Sequence, residues 1–126
     1  MKGVAGAGKA ITTRPANLPV TRHAGMIETA NEQRFDYFMR NLRHPEASYR
    51  WGAAQGLGRL RDLRALEPLL NVLNDEDWRV RFKAAWALGE LGDRRALPAL
   101  RRLSRDPSET VRDSAQKAAE RILMGL

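Results

Sequence analysis

Arginine is the residue type in this chain whose number and spacing could do chemistry. From position 94 to position 105 the sequence reads Arg-Arg-Ala-Leu-Pro-Ala-Leu-Arg-Arg-Leu-Ser-Arg, with five arginines and no acid. The planar guanidinium forks onto carboxylates and phosphates, so such a cluster reads either as a plainly solvated face or as a receptor for an anionic surface. Catalytic residue types offer less. The chain has no cysteine, which removes disulfides, thiolate metal sites and thiol nucleophiles. His23 and His44 are the two histidines, and neither has a carboxylate at metal-ligand spacing. No Ser-His-Asp arrangement is visible. Asp75, Glu76 and Asp77 are adjacent carboxylates, but they precede a predicted helix, whose N-terminus they would cap and whose dipole they would favour. The expectation is therefore no catalytic residue, no metal site and no cofactor.

A phosphate-binding loop is the other chemical motif to weigh. Gly3-Val4-Ala5-Gly6-Ala7-Gly8-Lys9 matches its first seven positions. Ala10 stands where Ser or Thr would hold Mg²⁺, and only two residues precede Gly3, too few for the anchoring strand. The segment reads as a Gly/Ala-rich flexible stretch instead.

The elements that must position the arginines come next. The 126 residues, 43% hydrophobic and 29% charged, suit one domain with a buried core. Net charge is +7, from 22 basic and 15 acidic residues. Residues 1–25 carry Lys2, Lys9, Arg14 and Arg22 and no acid, hence +4, and the rest carries 18 − 15 = +3. Pro15 and Pro19 break helical patterning there. We read 1–25 as a flexible basic tail and 26–126 as the folded domain. An acid-free tail also suits an organellar presequence, but it lacks a clear amphipathic helix and a secretory apolar core. No run of 18 apolar residues is present, so no membrane span is expected, and the chain is expected to be cytoplasmic.

An internal repeat organises the domain. Shifting the chain by 31 residues lays Trp51, Ala53, Ala54, Leu57, Gly58, Leu60 and Asp62 on Phe82, Ala84, Ala85, Leu88, Gly89, Leu91 and Asp93. The next shift lays Val80-Arg81 on Val111-Arg112, Ala84 on Ala115 and Leu91 on Ile122. Each period reads as two helices. In the first, Val80, Ala84, Ala87, Leu88 and Leu91 form one apolar stripe, and its alanines permit close helix approach. Gly92 offers a left-handed end and Asp93 a cap for the second helix, which carries Leu97, Leu100 and Leu103. Pro68 and Pro98 fall in first turns, where a missing N–H is tolerated. The pattern predicts about six helices, near 27–42, 46–60, 63–73, 77–91, 94–104 and 108–123. The fold class is all-α: an α-solenoid of stacked antiparallel helix pairs.

Asp77-Trp78-Arg79-Val80-Arg81, Ala84-Ala85, Ala87-Leu88-Gly89-Glu90-Leu91-Gly92-Asp93 and Ala96-Leu97-Pro98-Ala99-Leu100 resemble a HEAT-like repeat. The form is the short one of bilin lyases and of small archaeal and bacterial repeat proteins. The resemblance covers about residues 27–123 and implies a binding scaffold. It implies a structural ladder in which Arg81 pairs with Asp75 or Asp77, and Arg112 with Asp106. It also brings three activities to weigh. Accessory work in a bilin-lyase-like, cofactor-handling system is one. HEAT-like di-iron enzymes use His-Glu pairs that this sequence lacks, and HEAT-like DNA glycosylases have a catalytic Asp and aromatic cleft that cannot be placed here.

In stacked repeats the second helices usually line the concave, binding surface. At 100° per residue, Ala96, Leu97, Leu100 and Leu103 fill the core arc of 94–104. Arg94, Arg95, Pro98, Arg101, Arg102 and Arg105 fall opposite. The matching arc on 63–73 is Leu63, Arg64, Glu67, Leu70, Asn71 and Asn74, and on 27–42 it is Glu32, Gln33, Asp36, Met39, Arg40 and Arg43. The expected partner-binding residues are Arg64, Glu67, Asn71, Arg94, Arg95, Arg101, Arg102 and Arg105. The expected partner is a protein with an acidic or mixed surface. Nucleic acid, held by 94–105 and the tail, is the alternative, disfavoured by Glu32, Asp36 and Glu67. Trp51 is expected to pack at a repeat interface, Trp78 to cover a loop, and Trp86, which matches polar Gln55 and Lys117, to be the exposed one. No second helix follows 108–123, so Ile122, Leu123, Met124 and Leu126 are expected to lack the usual partner helix and to offer a surface either for self-association into a homo-oligomer or for a partner.

Overall fold

The computed structural model describes residues 17–125, with side chains described from residue 29 onward. The described residues form six α-helices and no strand. Helix α1 spans Asn17–Asn41, α2 Ala47–Leu60, α3 Leu66–Val72, α4 Trp78–Leu91, α5 Leu97–Arg102 and α6 Glu109–Met124. Helix α1 starts well ahead of the expected position near 27. Pro19 lies in its first turn, where a missing N–H leaves no broken bond. The expected tail therefore ends in a helix from Asn17 on, and residues 1–16 lie outside the described residues. The chain divides between Arg34 and Phe35, and the unit from Phe35 on holds the repeats.

The second helices are less regular than a uniform pattern predicts. Each opens as a 3₁₀ turn, Leu63–Ala65 before α3 and Arg94–Ala96 before α5, and α5 closes in another, Leu103–Arg105. Asp62 and Asp93 each accept the backbone N–H two residues on at the start of those turns. Asp77 does the same ahead of α4, and Ser108 Oγ accepts the Val111 N–H ahead of α6. Helix α4 ends on Gly92 at φ 71°. The equivalent end of α2 is Arg61, held at φ 53°, a left-handed conformation that costs a non-glycine residue about 1 kcal/mol.

Packing follows the 31-residue period. Helices α2, α4 and α6 lie side by side, with α3 against α4 and α5 against α6. Fully buried Leu57 and Leu88, Leu69 and Leu100, and Val80 and Val111 are equivalent pairs one period apart. Small residues let α2, α4 and α6 approach. A Cβ on Gly58 would lie 2.9 Å from the Ala87 Cα, and one on Gly89 would lie 2.9 Å from the Ala118 Cα. Polar groups tie the same helices. Glu90 on α4 accepts Arg61 at 3.0 Å and Arg121 of α6 at 3.0 Å, and Ser114 Oγ donates to the Phe82 carbonyl at 3.0 Å.

The ladder exists but runs the other way. Arg81 forks onto Asp106, Nε at 2.8 Å and Nη2 at 3.1 Å, not onto Asp75 or Asp77. Asp75 belongs to Arg50, at the same two distances, and Asp77 belongs to Arg79. The guanidinium has two edges. Nη1 reaches back to the preceding loop's carbonyls, Asp75 and Glu76 for Arg81. The Nε/Nη2 edge therefore faces forward, to the carboxylate twenty-five residues on. Arg112 meets Asp106 only through its backbone carbonyl, at 2.6 Å.

The far face of α6 also departs from expectation. Ile122 is buried, 3% exposed, because it occupies the Leu91 position and packs inward with Ala115 and Ala118; it offers nothing for self-association. Leu123 and Met124 are exposed, and Leu126 lies outside the described residues. On this helix Gln116 and Glu120 stand where α4 has Ala85 and Gly89 and α2 has Ala54 and Gly58. Both are exposed, and they make the outer seam of α6 polar where those of α2 and α4 are small.

Candidate partner-binding surface

The eight expected contact residues are carried by the α3 and α5 segments, and the structure sorts them by what already holds them. Arg64 is held locally. It forks onto Asp62, with Nη2 at 2.6 Å, and its guanidinium lies 4.2 Å from the centre of the Phe35 ring. Arg95 repeats this on Asp93, with Nη2 at 2.7 Å. Asp62, Asp77 and Asp93 each take the backbone N–H and the side chain of the arginine two residues on. This Asp-x-Arg staple locks the first turn of α4 and of each second-helix segment.

Ionisation of those carboxylates reflects the staple. Arg79's side chain, then its N–H, hold the Asp77 carboxyl down at about 2. The Arg64 and Arg95 side chains do the same for Asp62 and Asp93, both below the ordinary carboxylate value. At Asp106 burial pushes the carboxyl up, but the Arg81 fork, the Ser108 N–H and the Arg112 charge together outweigh it, and the group lies low. Arg95 is raised chiefly by Asp93, with Glu67 of α3 adding to it. Glu67 of α3 thus lies within electrostatic reach of Arg95.

Arg94, Arg101, Arg102 and Arg105 remain. All four are exposed, and none has an ion pair or hydrogen bond among the described residues. The 3₁₀ turns advance about 120° per residue where an α-helix advances 100°. Arg94 and Arg105, which lie in those turns, therefore splay from the straight arc expected for one continuous helix. Glu67 and Asn71 are exposed on α3. The surface holds fixed cationic staples and, across residues 94–105, four exposed arginines with no pair among the described residues.

Two further features went unseen or misplaced in the sequence. Trp78 is the most exposed tryptophan, at 45%, whereas Trp86 is half-buried against Gly58. Gly58 leaves the space that the indole fills. Lys83 lies 5.2–5.9 Å from the ring centres of Trp51, Phe82 and Trp86. The second feature is a groove of about 550 Å³ between α5 and α6, bordered by Arg101 and Arg112 and floored by Leu100, Ala115, Ala119 and Leu123. His44 is engaged by its own loop. Its Nδ1 accepts the Glu46 N–H at 3.0 Å, and its ring stacks on Tyr49 at 4.0 Å. Among the described residues no three His, Cys, Asp or Glu side chains converge.

Residues 36–120 match the family model for HEAT repeats. The chain belongs to the HEAT-repeat family. HEAT repeats generally mediate protein interaction. Among solved structures, human deoxyhypusine hydroxylase in complex with glycerol is similar, with 30% sequence identity and a TM-score of 0.66. The alignment covers 71% of this chain and 32% of that one, so this HEAT-repeat chain spans about a third of the hydroxylase's length. No curated protein sequence matches it. No helix among its described residues is long and apolar enough to cross a membrane.

Proposed function

We propose that this HEAT-repeat chain is a noncatalytic protein-recognition module, binding a partner of acidic or mixed surface through the face that α3 and α5 share. One observation carries the reading. Arg94, Arg101, Arg102 and Arg105 are exposed and unpaired among the described residues, on a segment with no acid of its own. Unpaired arginines in such a group grip carboxylates and phosphates alike by two parallel bonds. Glu67, exposed on the same face, favours a mixed protein surface over a uniform polyphosphate. Arg64 and Arg95 frame the surface as staples rather than leading it.

The test is capture from a lysate by the full chain and by the Arg101→Glu, Arg102→Glu double variant, with nuclease present and at moderate salt. The reading expects unchanged helicity and one or a few acidic proteins retained only by the parent chain. Equal retention by both chains refutes the surface. Retention that disappears with nuclease reassigns the arginines to phosphate.

A further inference from the structure

We propose that Arg112 is a preformed receptor for a carboxylate, an Asp or Glu side chain offered by a loop of a partner protein. The proposal goes beyond the α3–α5 face and does not depend on it. Arg50 and Arg81 demonstrate what the position does. Each sets Nη1 on two carbonyls of the loop before its helix, His44 and Pro45 for Arg50, Asp75 and Glu76 for Arg81. Each then offers Nε and Nη2 as a fork, filled at 2.8 and 3.1 Å by the next loop's aspartate. Arg112 repeats the first half, with Nη1 on the carbonyls of Asp106 at 2.6 Å and Pro107 at 3.2 Å. Its fork has no partner among the described residues. The side chain is half-buried and already held, so binding loses little rotamer freedom.

The surroundings say how the carboxylate arrives. Arg112 borders the groove between α5 and α6. A stacked repeat does not fit over it. Stacking brings Gly58 onto Ala87 and Gly89 onto Ala118, and α6 has Glu120 at that position. A second copy stacked end to end fails chemically as well. The residue it would bring to the fork is its own position 44, where His44 replaces the aspartate of the later loops. An acidic residue on a loop or extended segment avoids both obstacles. Glu109, Asp113 and Glu120 also line the groove and would repel a second acid. The occupant therefore carries one carboxylate among apolar or basic residues.

The test follows arginine Nε–H signals of the full chain by NMR. The probe is a blocked pentapeptide with the sequence of Ser104-Arg105-Asp106-Pro107-Ser108, which in the fold supplies the Arg81 fork. The control peptide carries Asn in place of Asp. We expect a saturable shift at Arg112, about tenfold tighter for the Asp peptide. The accompanying shift at Arg101, which borders the same groove, should vanish in Arg112→Lys and in Arg112→Gln, and the Arg112 shift should persist in the Arg94→Glu, Arg102→Glu double variant, which spares the groove. Equal response to both peptides, or a shift shared equally by Arg94 and Arg102 in the parent chain, overturns the proposal.

Discussion

Replacing the ladder arginines one at a time should give sharply unequal losses of stability, although the three are equivalent by sequence. Arg81→Ala removes both bonds to Asp106 and leaves that carboxylate, 5% exposed, with the Ser108 N–H as its remaining close donor. Breaking a buried pair from one side costs about 3–5 kcal/mol. Arg50→Ala does the same to Asp75, 10% exposed, and should cost slightly less. Arg112→Ala abandons no carboxylate. It loses two bonds to loop carbonyls, roughly 1 kcal/mol. At about 4–8 °C per kcal/mol for a domain this small, Arg81→Ala should melt roughly 12–40 °C lower, and Arg112→Ala about 4–8 °C lower. Arg81→Lys should rescue little, because an ammonium cannot fork. Thermal unfolding followed by circular dichroism reads all four. Equal losses for Arg81→Ala and Arg112→Ala would refute the reasoning.

Other consequences are as open to measurement. Arg61→Gly should stabilise the chain by about 0.5–1 kcal/mol, since the exposed Arg61 pair it sacrifices is worth little; denaturant midpoints check it. Gly89→Leu should destabilise by about 2 kcal/mol or more through overpacking against Ala118, while Glu120→Leu, at the equivalent exposed position, should change the midpoint little. For acid, the sign follows from the lowered carboxyls of Asp62, Asp77, Asp93 and Asp106. The folded state binds fewer protons than the unfolded chain. Their contribution is present above the ordinary value of 3.8 and is lost as the pH falls toward about 2, where Asp77 titrates; urea midpoints against pH should be flat near neutrality and drop below about 4.

The helices were legible because burial repeats with the period. Leu57 and Leu88, or Leu69 and Leu100, are the same environment twice, and an apolar stripe at helical spacing marks each. The 3₁₀ turns were not legible from apolar spacing, since an Asp cap looks alike before either kind of turn. The recurrence of Asp-x-Arg at 62, 77 and 93 was the signal that could have revealed the staples, and with them the local holding of Arg64 and Arg95. The ladder's direction was hidden because its partners stand twenty-five residues apart and the guanidinium uses both edges. The equivalence of Arg50 with Arg81 and of Asp75 with Asp106 would have pointed to it, but Tyr49 interrupts the Val-Arg pattern at the first rung. Ile122 was misjudged by counting missing helices instead of following its equivalence to Leu91. Trp86 was misjudged because polar residues at 55 and 117 suggested exposure, while the room it fills exists only beside a glycine.

Where a captured partner sits can be read directly by amide hydrogen exchange on the complex. Recognition through the α3–α5 face predicts protection gathered in residues 63–73 and 94–105, weakened in the Arg101→Glu, Arg102→Glu chain. Protection centred instead on α2 and α4, around Trp51, Trp78 and Phe82, would contradict it and move the interface to the aromatic side.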